Sequence, residues 1–576
     1  MDLVFDIETD DLKATLIHCL VAQDANSGEI FKFPPSNLQE GYELLLKADR
    51  LIGHNIIGFD IPLVEKFGNI NLSNKEVIDT LVLSRLFNPT REGGHSLEKW
   101  GYKLGLSKIE FEDYLNYSSE MLDYCVRDVQ LNTLVYKELR NESKGFSKQS
   151  IELEQDVARV MKKQEENGFK FDMESALLLL ANLRETSQQI EDEVHNTFKP
   201  KWVDDKLVTP YIKKDGDLSK RGLTDDEYDR CITTQDMSPF MRKQLVDFNL
   251  GSRKQIGEYL MDFGWKPDRF TPTGQPIVDE KTLSEVTHIR EAKLIADFLL
   301  LQKRIAQVDS WVEAVQDDGR VHGFVIPNGA ITGRMTHRSP NMAQVPSVHS
   351  PYGSECRACW IVDDGNVLLG VDASGLELRM LAHYMNDETY IKEILDGDIH
   401  TANQRAAKLK SRNQAKTFIY ALMYGAGDEK LGKVVQGNTA DGKRAREYFF
   451  DNNPAFKSLR DRVQRAASKK YLKGIDGRKL YIRNAHSALN TLLQGAGAIV
   501  MKKALSILDD VLRLNSVPYK FVANIHDEWQ IEVPKEQADF IGQFAVDSIT
   551  KAGEHFNLRC PLDGEYKIGG NWSETH

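Results

Sequence analysis

Asp6 and Glu8 stand two residues apart in Val4-Phe5-Asp6-Ile7-Glu8-Thr9, a run whose alternation predicts a strand with both carboxylates on one face and Phe5 and Ile7 in the core. Carboxylates held side by side repel unless a cation offsets them. The pair therefore predicts a metal site completed by acids from elsewhere in the chain. The candidates are Asp60, closing Gly53-His54-Asn55-Ile56-Ile57-Gly58-Phe59-Asp60, and Asp128 in Tyr124-Cys125-Val126-Arg127-Asp128. Tyr124 and Asp128 share a face at helical spacing, so a phenol can orient a water beside the metal.

A second carboxylate set lies near the other end of the chain. Val371-Asp372-Ala373-Ser374-Gly375-Leu376-Glu377-Leu378-Arg379 begins as a strand and turns into a helix, leaving Asp372 at the strand end. His526-Asp527-Glu528 separates two apolar runs, Phe521–Ile525 and Trp529–Val533, and predicts a hairpin with its acids at the tip. Acids at a strand end and at a neighbouring hairpin tip can share a metal pair about 4 Å apart, the geometry of in-line phosphoryl displacement.

Between these acids runs Arg412-Asn413-Gln414-Ala415-Lys416-Thr417-Phe418-Ile419-Tyr420-Ala421-Leu422-Met423-Tyr424-Gly425. Steps of four put Arg412, Lys416, Tyr420 and Tyr424 on one helix face, with Gly425 ending or bending the helix. Arg412 and Lys416 repel at that spacing, so an anion should offset them. A triphosphate suits the stripe: Arg forks onto phosphate oxygens, Lys adds a point charge, and tyrosine rings offer a stacking surface to a base.

The elements that must hold these residues are legible in outline. A chain of 576 residues with 41% apolar content predicts several packed units. The net charge of −12 decides nothing about nucleic acid, which needs only a local basic surface. Six scattered cysteines, no signal peptide and no long apolar run predict a reducing cytoplasm and no membrane. Cys356 and Cys359 have no second pair at metal spacing and are read as coincidence. Residues 1 to about 140 alternate strands and helices; an amphipathic region follows from Ile151. From about Lys199 to Asp247 the periodicity fails, with Pro200, Pro210, Gly216 and Gly222 among balanced charges, which predicts an irregular, exposed insertion. Helical patterning returns near Ser252 and runs to about Val315.

The order of the first acids and Tyr124 resembles the three exonuclease motifs of the DEDD superfamily, in the variant with Tyr in the third, over about residues 1 to 140. That resemblance implies an RNase H-like fold and two-metal hydrolysis of a 3′-terminal phosphodiester, with Asp6, Glu8, Asp60 and Asp128 as ligands and Tyr124 positioning the nucleophile. The later blocks resemble motifs A, B and C of family A, Pol I-like DNA polymerases. The runs Thr332-Gly333-Arg334, Asn341-Met342-Ala343-Gln344-Val345-Pro346, Gly474-Ile475-Asp476-Gly477-Arg478-Lys479-Leu480 and Asn490-Thr491-Leu492-Leu493-Gln494-Gly495-Ala496, with the closing Asn571-Trp572 and His576, are most similar to the replicative branch of T-seven-like short-tailed phages.

The resemblance implies an α/β multidomain chain, an RNase H-like 3′-5′ exonuclease domain (1–140) followed by a right-hand polymerase domain: thumb 141–325 with an insertion near 199–247, first part of the palm 326–410, fingers 411–470, and second part of the palm 471–576. It implies a phage replicative DNA polymerase working from dNTPs on primer-template DNA, with two Mg2+ per active site and Mn2+ able to substitute. Asp372, Asp527 and the Ala373 carbonyl are then metal ligands, and Glu528 supports the hairpin. His400, Arg412 and Lys416 contact the triphosphate, Glu377 bars a ribose 2′-hydroxyl, and Tyr420 is associated with acceptance of dideoxynucleotides. Tyr424 stacks near the templating base, Arg334 and Gln494 read the minor groove with Gln344 as a further DNA contact, and His526 lies by the primer terminus. The acceptors at purine N3 and pyrimidine O2 recur in every correct pair, so donors there test pair shape without reading sequence.

A monomeric chain in the cytoplasm of an infected bacterium is expected, alongside a phage helicase-primase and a single-stranded DNA-binding protein. Phage-branch thumbs carry an insertion that binds host thioredoxin as a processivity factor; residues 199–247 occupy that place, shorter and not markedly basic. A Pol I-type repair polymerase, a single-subunit RNA polymerase and a catalytically dead DNA-binding scaffold are the alternatives. The intact acids and Glu377 argue against each of them.

Overall fold

Leu3, Phe5 and Ile7 pack into one apolar cluster and Val4 into another, because the strand Asp2–Thr9 is central in its sheet and covered on both faces. The computed structural model describes residues 1–576. Strand Asp2–Thr9 pairs antiparallel with Ile17–Asp24, which pairs antiparallel with Ile30–Phe33; on its other side Arg50–Gly53 and Glu76–Asp79 add in parallel. The helix Ser119–Glu142 packs across the face that carries Val4, Asp6 and Glu8. The expected mixed α/β arrangement of the N-terminal residues is thus present.

The helix Lys148–Asn167 leads on to the C-terminal part of the chain and packs against the helix Ala488–Leu514. Glu154, Asp476, Arg478 and Lys502 meet between them, all buried. Glu154 pairs with Arg478, and its Oε1 accepts Lys502 Nζ at 2.6 Å, while Arg478 Nε donates to Asp476 at 2.8 Å. Burial opposes the Glu154 charge, but Lys502 and Arg478 outweigh it and hold its pKa below the usual carboxylate value.

By length and composition the stretch Ala485–Leu514, which contains the helix Ala488–Leu514, could cross a membrane, yet 78% of its most apolar 18-residue window is buried within this fold, as in the core helix of a folded domain. Small residues allow the packing: a Cβ on Gly495 would stand 2.8 Å from Leu480. The helix Ala538–His555 packs on Ala488–Leu514 and on an antiparallel sheet in the order Lys520–Ile525, Glu528–Pro534, Asn366–Ala373, Gly564–Gly569.

Residues Met1–Asp172 and Ala314–His576 form one compact unit and Met173–Glu313 another. The second unit has its own core, with Phe198, Phe248, Tyr259 and Leu260 among the buried side chains. Its insertion is not irregular as expected. Strands Lys201–Val208 and Phe240–Val246 form an antiparallel hairpin around the helix Asp225–Thr234, which Thr224 and Glu227 close with a reciprocal capping box. Proline, glycine and charge hid the hairpin because both of its faces are largely exposed, so its strands lack a simple apolar alternation. Phe198 and Phe248, with ring centroids 5.0 Å apart, clamp its base. The helical region expected from Ser252 to Val315 is likewise divided, into Arg253–Asp262, Glu280–Glu285 and Arg290–Ala314. Gly264, Pro267, Pro272, Gly274 and Pro276 interrupt it.

Candidate active sites

Strand alternation brings Asp6 and Glu8 to one face, and other elements complete the cluster. Asp60 is the first residue of the helix Asp60–Gly68, and its Oδ1 accepts the Ile7 N–H at 3.2 Å. Asp128 lies one turn beyond Tyr124 on the helix Ser119–Glu142. Burial first, then the neighbouring Asp60, Glu8 and Asp128, push the Asp6 carboxyl far up. Burial, then Asp128 and Cys19, raise Glu8 to about 9, and burial raises Asp60 to about 7. Acids that cannot all ionise together are a donor set waiting for positive charge. The buried Asp128 Oδ1, which has no hydrogen-bond partner, fits that reading, and hard oxygen donors suit a hard divalent cation.

Lys108 was not foreseen. It lies outside any helix or strand, yet its Nζ reaches Asp128 Oδ2 at 2.5 Å and sits 4.8 Å from the Tyr124 ring centroid. Burial works against its charge, and Asp128, Asp6 and Glu8 outweigh that. Cys125 also borders the cluster, its Sγ 3.9 Å from Asp6 Oδ2. Cys356 and Cys359, read as coincidence, are buried free thiols.

At the second cluster, strand Asn366–Ala373 pairs with Glu528–Pro534 so that Asp372 lies opposite Glu528. His526 and Asp527 make the two-residue turn between Lys520–Ile525 and Glu528–Pro534, with His526 at φ +59°. The Ala373 N–H donates to the Asp527 carbonyl at 3.2 Å, which seats the turn against the strand end. Burial, then Asp527 and Glu528, raise Asp372 to about 7; burial raises Asp527 as well. Glu528 differs from them. Its carboxylate accepts Trp572 Nε1 at 2.6 Å and Gln530 Nε2 at 2.8 Å, and meets His576 Nδ1 at 3.0 Å. Against the burial that would raise it, His576 and Arg357 hold its pKa low.

One cavity is lined by Arg334, Glu377, Gln494, His526 and Asp527, which are far apart in sequence. Arg334 Nη2 meets Glu377 Oε1 at 3.0 Å, and the Tyr424 hydroxyl donates to Glu377 Oε2 at 2.5 Å. Gln344 lies outside the cavity lining, in the turn Met342–Gln344, which packs against strand Lys520–Ile525. The predicted basic stripe is the helix Arg412–Met423; Tyr424 follows it and Gly425 turns the chain at φ +80°. The predicted repulsion between Arg412 and Lys416 has an internal answer: Asp398 Oδ2 accepts Arg412 Nε at 2.7 Å. Burial, followed by the charges of Arg412 and Lys416, lowers the His400 pKa. Tyr420 is raised by burial and then by Glu377 and Asp527, linking the stripe to the acids.

The family model for DNA polymerase family A matches residues 230–574. The chain belongs to the family A DNA polymerases. This polymerase is 33% identical to the DNA-directed DNA polymerase of Enterobacteria phage T3 and 32% identical to that of Escherichia phage T7, in both cases over 100% of each chain. Each alignment runs to 703 positions for a polymerase of 576 residues, so the relatives contain segments absent here. Among solved structures, the polymerase domain of Pol1 from M. smegmatis, in complex with DNA primer-template and dNTP, superposes with a TM-score of 0.79 at 18% identity, covering 100% of this chain and 95% of that one. That likeness concerns the fold.

Two groups in this polymerase lay beyond motif reading. The Glu154, Arg478 and Lys502 cluster spans more than 300 positions of sequence, and only the run around Asp476-Gly477-Arg478 hinted at it. Asp398 had a local signal, an aspartate immediately before a helical stretch, the signature of an N-cap.

Proposed function

We propose that this polymerase is a phage replicase that extends a primer 5′ to 3′ by two-metal phosphoryl transfer and proofreads with a 3′ to 5′ exonuclease. The seating of Asp372, at a strand end, against the hairpin turn that carries Asp527, whose charge helps to raise the Asp372 carboxyl, carries the synthetic half of the reading. The buried set Asp6, Glu8, Asp60 and Asp128 carries the digestive half. On this reading residues 1–140 are the exonuclease, 141–325 the thumb, 326–410 and 471–576 the palm, and 411–470 the fingers.

Asp372, Asp527 and the Ala373 carbonyl would hold the cations of the synthetic site, and Asp6, Glu8, Asp60 and Asp128 those of the digestive site. Bound Mg2+, or Mn2+ in its place, supplies Lewis acidity and charge neutralisation to the reacting phosphate. The protein does the rest by positioning. Arg412, Lys416 and His400 bind the triphosphate. Glu377, braced by Arg334 and Tyr424, stands against a ribose 2′-hydroxyl. Tyr420 shapes the sugar site, and Tyr424 offers its ring near the templating base. Arg334, Gln344 and Gln494 contact DNA, the first and last from its minor groove, and His526 lies at the primer terminus. Tyr124 orients the water that attacks the 3′-terminal phosphodiester.

Primer-template DNA and dNTPs are the proposed partners, with a helicase-primase and a single-stranded DNA-binding protein, in the cytoplasm of an infected bacterium. Host thioredoxin belongs on the hairpin 199–247, where Trp202, Leu207, Tyr211 and Leu245 are exposed apolar side chains of the kind that face a protein. The deciding experiment is primer extension by Asp372→Ala. The reading expects extension to be lost while primer-template binding stays. Retained extension sinks it, and a wild-type chain that binds DNA without extending it is a scaffold.

A further inference from the structure

Asp398 meets two of the three proposed triphosphate contacts, Arg412 through its side chain and His400 through its backbone N–H. It caps the helix Ile399–Ala406: its Oδ1 accepts the His400 backbone N–H at 3.1 Å, which fixes where His400 leaves the helix. Its other oxygen, Oδ2, takes the Thr401 hydroxyl at 2.7 Å and the Arg412 Nε–H at 2.7 Å. Arg412 opens a different helix, so one side chain ties together the starts of two helices.

The geometry of the bond to Arg412 matters more than its strength. Both side chains are substantially exposed, and an exposed ion pair contributes little to folding. A guanidinium, however, carries five N–H donors in a planar fork. With only Nε engaged by Asp398, the Nη1 and Nη2 amines stay available to an anion. Lys416, one turn along the same helix, extends the same stripe.

Two roles for Asp398 have opposite consequences. As a competing counter-ion it would weaken nucleotide binding. As a brace it would strengthen binding, since an arginine oriented beforehand loses less freedom when it grips phosphate. A competitor would best occupy the Nη fork in a bidentate pair. Asp398 leaves that fork clear and spends its other oxygen on the cap.

We propose that Asp398 is a positioning residue for the incoming nucleotide, holding the Arg412 guanidinium by its Nε edge so that the Nη amines face the phosphates, and setting His400 through the same carboxylate. This rests on the reading of Arg412 and His400 as triphosphate contacts.

The test is single-nucleotide incorporation by the full chain on primer-template DNA with Mg2+, comparing Asp398→Asn, Asp398→Glu, Arg412→Ala and the double variant Asp398→Asn/Arg412→Ala. Asparagine keeps an amide oxygen for the cap and loses the charge that holds Arg412. The KM for dNTP should rise about three- to tenfold with kcat little changed. Asp398→Glu should recover part of the loss, and the double variant should bind dNTP no worse than Arg412→Ala alone. An unchanged or lowered KM in Asp398→Asn overturns the proposal, as does a loss that adds in full to that of Arg412→Ala. If Arg412→Ala itself leaves KM unchanged, the triphosphate reading fails first and takes the inference with it. A misfolded Asp398→Asn would show as a lowered melting temperature and lost primer-template binding; Asp398→Glu then carries the test, where a raised KM for dNTP that disappears in the Arg412→Ala background supports the brace and an unchanged or lowered KM overturns it.

Discussion

Tyr424 donates its hydroxyl to Glu377 Oε2 at 2.5 Å while Arg334 holds Oε1 of the same carboxylate at 3.0 Å. Glu377 opens the helix Leu376–Met385 and Tyr424 follows the helix Arg412–Met423, so this carboxylate joins the strand-end acid region to the basic stripe. Bracing from both sides leaves the carboxylate little freedom to swing.

Glu377→Ala should therefore raise ribonucleotide incorporation by at least about tenfold, because it removes the obstacle and both bonds that fix it. Tyr424→Phe should have a smaller effect in the same direction, through one lost bond. Competition between a dNTP and its ribonucleotide in primer extension measures both, and unchanged ribose preference in Glu377→Ala contradicts the role.

Replacing Asp6 and Glu8 by Ala should lower 3′ digestion of single-stranded DNA by about a thousandfold or more and leave extension intact, since the two acid clusters are separate. Gel analysis of end-labelled oligonucleotides checks this. Persistent metal-dependent digestion by the double variant would remove the proofreading assignment.

The acids also predict how stability follows pH. Folding raises Asp60 and Asp372 to about 7 and Glu8 to about 9, all above their unfolded values, so the folded chain binds more protons through that window. Without added cations, the stability these groups contribute is greatest below their unfolded values of about 4, falls progressively above that, and is lost once pH passes about 7 for Asp60 and Asp372 and about 9 for Glu8. Cation binding requires the ionised acids, so Mg2+ should raise the melting temperature more at about pH 8.5 than at about pH 6. Thermal unfolding with and without Mg2+ at the two pH values gives the comparison, and an equal or reversed gain rejects it.

Glu154→Ala should cost about 3–5 kcal/mol, because it leaves Arg478 and Lys502 buried beside one remaining carboxylate, Asp476. Glu154→Gln should cost less by keeping a hydrogen-bond acceptor. Urea unfolding followed by intrinsic fluorescence is the measurement, and a change within about 0.5 kcal/mol would show the network to be dispensable.

Much of the candidate chemistry was legible because it is periodic and local. Asp6 and Glu8 share a face by the two-residue repeat of a strand, Tyr124 and Asp128 by a helical turn, and Arg412 through Tyr420 by steps of four; backbone geometry alone decides these. The turn at His526-Asp527 was marked by the apolar runs around it. Local signals failed where packing takes over. The hairpin 201–246 has no buried face to impose an alternation, and the apolar helix Ala488–Leu514 is buried by neighbours that no window of sequence contains. The same limit hid Lys108 beside Asp128, Asp398 beside Arg412, and Glu154 between Arg478 and Lys502. Sequence determined by itself which acids and bases each element would present. Tertiary structure decided which of them meet, because contact between distant residues depends on how elements pack, and a buried charge such as Glu154 persists only where that packing brings it a partner.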